Sequence, residues 1–328
     1  MSRALRARTA ALLCALFLLT ALPAVLSGCQ SSAAPSGRIS VVTTIYPEYD
    51  WMRSILGDAA DSVDLFLMAD NGTDLHSFQP SVADVARISS CDLFVYVGGE
   101  SDKWVAEALK DPRNPDRIVV RLLDVLGDRA RIEETVEGMQ SDDEIPEADL
   151  EYDEHVWLSL KNAELFVSEL SSALGRVDPE RKGLYEANAR SYADSLKDLD
   201  ERYAETVRTA KRRTVLFGDR FPFRYLTEDY GLSYYAAFSG CSADSDASFK
   251  TVVFLAGKID ELGLPAILIL ENSDGRIART VRDNTKSQDP VILVLDSLQS
   301  AVLRNGQADR TYLDAMRSNL DVLAQALN

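Results

Sequence analysis

A chain of 328 residues, 46% hydrophobic and 27% charged, is long for one lobe and apolar enough to bury the cores of two. Its 52 acidic residues outweigh 35 basic ones, for a formal net charge of −17. That balance argues against a nucleic-acid partner, whose phosphates need a basic face, and is compatible with attracting cations.

The first residues form a processing signal. Arg3, Arg6 and Arg8 precede an apolar run from Ala10 to Leu26, short for a spanning helix, which needs about 20 residues. The tetrad Leu26-Ser27-Gly28-Cys29 resembles a bacterial lipobox, which implies cleavage after residue 28 and lipid attachment at Cys29. Residues 29–37, rich in Ser, Ala and Gly, read as a flexible tether. Loss of residues 1–28 removes three arginines and makes the mature chain more acidic still. With Cys14 removed and Cys29 lipidated, Cys91 and Cys241 remain, either paired or as separate thiols.

From Ile39 strands alternate with helices. Ile39–Thr44, Ser62–Met68, Cys91–Val97 and Ile118–Arg121 read as strands, with helices at Trp51–Leu56, from Pro80 onward and at Lys103–Leu109. The stretch from Glu133 to Glu154 is crowded with acidic residues and reads as a mobile loop, a solvated excursion or a weak collector of cations. Asn162–Leu174 follows as an amphipathic helix. Asp178–Arg212 carries an apolar stripe of Tyr192, Leu196, Leu199, Tyr203 and Val207, which predicts a helix of roughly 50 Å acting as a strut. Thr214–Phe217, Leu232–Ala237, Ala266–Leu270 and Val291–Leu295 read as a second set of strands, with helices at Arg224–Asp229, Phe249–Leu262, Arg276–Asn284 and Tyr312–Leu327. The expected architecture is α/β: lobes at 38–177 and 213–328, each a mostly parallel sheet flanked by helices, joined by one long helix at 178–212.

In open α/β sheets ligands bind at the carboxyl ends of strands, often between lobes. His76, Asp219, Glu271 and Asp296 each follow a strand, and His155 opens a helix after the acidic stretch. Two imidazoles with carboxylates suit Zn²⁺ or Mn²⁺. No serine-centred elbow, His-Glu-x-x-His pattern or glycine-rich phosphate loop is present, so no enzyme is expected.

Five stretches carry a resemblance: Gly72-Thr73-Asp74-Leu75-His76-Ser77-Phe78-Gln79-Pro80, the run Cys91–Gly99, Asp153-Glu154-His155-Val156-Trp157-Leu158, Val294-Leu295-Asp296-Ser297-Leu298, and the run Tyr312–Leu320. In this order they resemble the metal-binding lipoproteins of ABC importers for zinc and manganese, the cluster with a helical backbone between its lobes. The resemblance implies an interlobe metal site with His76, His155 and Asp296 as ligands, delivery of the ion to a membrane permease, and residence at the cell surface or in the periplasm. One departure stands out: counting back from Tyr230-Gly231-Leu232 puts Arg220 where the family has a third ligand, and a guanidinium only donates. Asp219 and then Glu271 are the nearest replacements. The expectation is a monomeric binding lipoprotein for one Zn²⁺ or Mn²⁺ ion. The alternatives are a receptor for a small organic solute, or an adhesin with a degenerate metal site.

Overall fold

The computed structural model describes residues 38–328 except 71, 141–150, 243–245, 287–288, 301 and 305–306. The signal and Cys29 lie outside the described residues. Among those described, no helix is long and apolar enough to cross a membrane.

The N-lobe is built on a parallel sheet of order β2-β1-β3-β4, from β1 (Ile39–Thr43), β2 (Val63–Leu67), β3 (Leu93–Tyr96) and β4 (Ile118–Arg121). The central strands β1 and β3 are short runs rich in β-branched and aromatic residues with most side chains buried, as a sheet covered by crossover helices requires. Their crossovers include α1 (Tyr46–Leu56), α2 (Val82–Ser90), the single turn α3 (Val105–Ala108) and α4 (Leu122–Leu126). Helix α1 begins earlier than its apolar pattern predicts, because Pro47 fits a first helical turn. Helix α2 starts where Ser81 and Asp84 form a reciprocal capping box.

Two helices then span the molecule. α5 (Leu160–Val177) is capped by the Ser159 hydroxyl, and α6 (Lys182–Thr209) runs about 42 Å at the α-helical rise. The strut starts later than the expected 178. Asp178 is pinned outside both helices, its Oδ2 accepting from Arg181 Nη1 and Tyr185 Oη at 2.6 Å each, and Pro179 follows it. The buried stripe of α6 comprises Tyr185, Ala189, Leu196, Leu199, Tyr203 and Val207.

The C-lobe repeats the plan with order β6-β5-β7-β8: β5 (Thr214–Phe221), β6 (Ser233–Ser239), β7 (Ala266–Ile269) and β8 (Val291–Val294), all parallel. Helices α7 (Arg224–Tyr230), α8 (Phe249–Leu262) and α9 (Arg276–Asp283) connect them. A small hairpin, β9 (Leu303–Arg304) with β10 (Gln307–Ala308), precedes the closing helix α10 (Tyr312–Ala326).

One apolar cluster runs through both lobes, and Trp51, Trp157, Tyr203 and Tyr312 fill the seam. Trp51 meets Tyr312 edge-on at 5.2 Å. Trp157 Nε1 donates to Ser297 O at 2.9 Å, and Tyr312 Oη donates to Trp157 O at 2.7 Å. A continuous core of this kind resists a wide hinge motion.

Where it is described, the acidic stretch is loop, and it carries contacts to the C-lobe. Ile132 bridges Tyr152, Arg131 pairs with Glu228 at 2.7 Å, and Gln140 adds a bridge to Phe238 of β6 with its amide nitrogen on Ala237 O at 2.9 Å. These residues strap the N-lobe to the C-lobe. Charge density alone foretold solvation, but backbone pairing at an open sheet edge supplies the ordering contacts.

Candidate metal centre

The N-lobe delivers two imidazoles. His76 lies in a 3₁₀ turn, Leu75–Ser77, whose cap Asp74 accepts the His76 amide at 3.0 Å. His155 opens the turn Val156–Leu158 and is fully buried. A single oxygen, Asp153 Oδ1, takes both the His155 amide and His155 Nδ1 at 2.9 Å.

The ring protons follow from these partners. Asp153 only accepts, so His155 Nδ1 carries the proton. Ser101 Oγ donates to Glu154 Oε1 at 2.6 Å, so it accepts from His76 Nδ1 at 2.9 Å, and Glu154 Oε1 lies 3.2 Å from that same nitrogen. The two Nε2 atoms, on the far edges of the rings, face each other at 3.2 Å. A tetrahedral ion with Zn–N bonds of about 2.0–2.1 Å would put two nitrogens about 3.3–3.4 Å apart.

Two C-lobe groups complete the cluster. Cys241 follows β6, with its amide on Glu133 Oε1 at 3.0 Å and its Sγ 3.7 Å from Glu154 Oε1. The ligand atoms of His76, His155 and Cys241 all lie within 4.8 Å of one another. Gln299, oriented by its neighbours, donates its amide nitrogen to both Asp74 oxygens at 3.1 and 3.2 Å and turns its carbonyl toward His155 Nε2 at 2.9 Å. His76 and Cys241 open onto a cavity of about 600 Å³ that Arg220 and Trp104 also line.

Electrostatics suit a cation. Burial tends to raise the Glu154 carboxyl, but His76, Ser101 and His155 outweigh it and hold the group below its usual range. Burial tends to lower His155, yet Asp153 and then Glu154 carry it above the ordinary imidazole value. Burial, reinforced by Glu133, Glu154 and Asp153, pushes the Cys241 thiol far up; a bound transition metal would displace its proton. Two glycines make room: a Cβ on Gly240 would lie 2.7 Å from His155 Cε1, and one on Gly99 would lie 2.3 Å from Glu154 Oε2.

The remaining sequence candidates have other partners. Asp296 pairs with Arg310, takes the Leu298 amide at 2.8 Å, and lines a separate cavity with Tyr46. Asp219 sits where the register of β5 shifts, its oxygens taking the Leu270 amide at 3.2 Å and the Arg220 amide at 2.9 Å. Glu271 holds the next loop through the Ser297 amide and hydroxyl, both at 2.8 Å. None of the three joins the cluster of His76, His155 and Cys241. Arg220 forms an ion pair with Asp74 at 2.8 Å. The two cysteines do not pair: Cys91 is buried, with its thiol on Ile88 O at 3.2 Å and pushed up to about 12 by burial, while Cys241 is free beside the histidines. The sequence left Cys241 as either half of a disulfide or a separate thiol, with no place among the candidate ligands. A cysteine directly after Ser239-Gly240 at the carboxyl end of a strand was the available signal, and Gln299 had none beyond its nearness to Asp296.

Comparison with known proteins places the whole two-lobed chain. The family model described as "ZnuA: Zinc-uptake complex component A periplasmic" matches residues 41–326. The chain is 31% identical over 314 residues to the zinc-binding lipoprotein AdcA of Streptococcus pneumoniae, covering 95% of this chain but 59% of that protein. It therefore spans about three fifths of the length of the AdcA relatives. It is 28% identical over 307 residues to the high-affinity zinc uptake system protein ZnuA of Bacillus subtilis, covering 92% of both. The zinc-bound ZnuA-like domain of S. pneumoniae AdcA superposes with a TM-score of 0.66 at 28% identity, over 89% of this chain and 99% of that one. With the match running through both lobes and the connecting helix, the chain belongs to the family of the zinc-uptake complex component A, ZnuA.

Proposed function

We propose that this chain captures a single Zn²⁺ ion outside the cytoplasmic membrane and delivers it to an ABC permease, as a lipoprotein anchored through Cys29. One observation carries the reading: two imidazoles whose Nδ1 protons are already committed, with their Nε2 atoms 3.2 Å apart beside a free thiol. His76 and His155 supply nitrogen, Cys241 sulfur and Gln299 an amide oxygen. Nitrogen and thiolate donors in a small, mostly buried cluster suit Zn²⁺ better than the harder Mn²⁺. The ligand missing at Arg220 is made up by Cys241, which favours an intact site over a degenerate one. The relatives' printed names, zinc-binding and zinc-uptake, support the same cargo.

The decisive experiment measures metal stoichiometry in the purified mature chain, then repeats it for His76→Ala/His155→Ala and for Cys241→Ser. One equivalent of zinc in the parent, lost in the double variant while the fold is retained, is the expected result. Substitution with Co²⁺ should give a thiolate charge-transfer band that Cys241→Ser abolishes. Tight stoichiometric zinc in the double variant would reject the assignment.

A further inference from the structure

Resting on that reading, we propose that Arg220 is a specificity-determining residue: by holding the Asp74 carboxylate in an ion pair it withholds a hard oxygen donor, so that the site takes Zn²⁺ and rejects Mn²⁺. Asp74 is two residues from His76 and lines the same cavity. The Gln299 amide bridges its carboxylate and His155 Nε2: the amide nitrogen reaches Asp74 at 3.1 Å and the carbonyl reaches His155 at 2.9 Å. Arg220 closes the arrangement from the C-lobe, with Nη2 on Asp74 Oδ2 at 2.8 Å. The pair is only about one-fifth exposed, 22% for Arg220 and 20% for Asp74, so solvent screens it little.

The other nearby carboxylates are already committed. Asp153 and Glu154 hold the imidazole Nδ1 protons, and Glu133 holds the Cys241 amide. Asp74 also holds the His76 and Gln299 amides, but its arginine partner is Arg220, so substituting Arg220 leaves a carboxylate charge without its cation beside the ion. A carboxylate in the shell favours harder ions, whereas imidazole and thiolate favour Zn²⁺. Arginine suits the withholding role because its charge is permanent and its donors match a carboxylate. The register shift of β5 between Phe217 and Arg220 places it at the site.

The test compares the parent with Arg220→Met and Arg220→Gln, reading Mn²⁺ binding from loss of the free-ion electron paramagnetic resonance signal and Zn²⁺ binding by chelator competition. Both variants should bind Mn²⁺ about tenfold tighter relative to Zn²⁺ than the parent does. Adding Asp74→Asn to either should return the ratio to the parent value. A purely structural role would weaken both metals in parallel, and an unchanged ratio would equally overturn the proposal. So would a raised Mn²⁺ ratio that survives Asp74→Asn. A parent chain that binds no zinc would instead reject the site itself, a separate outcome.

Discussion

The two halves of the candidate site are built differently. In the N-lobe, His76 and His155 are each locked by a carboxylate that is itself buried, Glu154 at 0% and Asp153 at 2% exposure. In the C-lobe, Cys241 is partly exposed and its amide rests on a single carboxylate, Glu133. Gln299 belongs to a loop tethered by Glu271 in which Leu298 adopts a φ of 59°, a left-handed conformation that costs a branched residue about 1–2 kcal/mol. The N-lobe half is therefore preformed and the C-lobe half is adjustable. On the proposed reading, metal capture would bring two C-lobe loops onto a fixed pair of imidazoles, with the packed seam of Trp51, Trp157 and Tyr312 keeping any movement small.

That contrast can be broken at several points. Glu154→Ala removes the partner of His76 and Ser101 from a fully buried position, so zinc affinity should fall about 100-fold. Stability should fall with it by about 2–3 kcal/mol, checked by competition titration and denaturant unfolding. Asp153→Asn puts an amide where His155 Nδ1 needs an acceptor, and a loss of about 10–100-fold in affinity should follow with the fold retained. If either variant binds zinc like the parent, the preformed half is not what holds the ion. Gly240→Ala acts from the C-lobe side by crowding His155 Cε1; about a tenfold loss is expected, smaller because the adjustable loop can give.

The N-lobe scaffold should also show a pH signature. Burial, reinforced by Asp102, pushes the Glu48 carboxyl from its ordinary 4.5 up to about 8. Its Oε2 takes the Thr44 amide at 2.8 Å, while Oε1 has no partner. Across that window the folded chain holds a proton that the unfolded chain has released, so stability falls as pH rises from about 4.5 to about 8. Glu48→Gln should flatten the decline, by at most about 1.4 kcal/mol per pH unit, in unfolding titrations run at several pH values. The smallest effect is expected for Trp157→Phe, which deletes the interlobe bond to Ser297 O and should cost about 1 kcal/mol.

Much of the architecture is written in local pattern. β-branched runs and the stripe of α6 signal a two-lobed α/β chain, because burial periodicity is set by nearest neighbours along the sequence. His76 and His155 were also legible, being the only two histidines and each lying at a loop where the chain turns from one element to the next. Helix starts were displaced where capping or proline outranked apolar spacing, as at Tyr46 and Lys182.

What the sequence by itself determined is the parts list: the lobes, the strut and the two imidazoles. Only the tertiary structure decided which third group meets them. Asp219, Glu271, Asp296 and Cys241 all lie at or near the carboxyl ends of C-lobe strands, so position along the chain cannot rank them. A backbone amide occupies Asp219, a neighbouring loop occupies Glu271 and Arg310 occupies Asp296, whereas the Cys241 sulfur lies beside the two histidines. Which donor remains available depends on hydrogen bonds between residues far apart in sequence, and those form only once the two lobes are packed together.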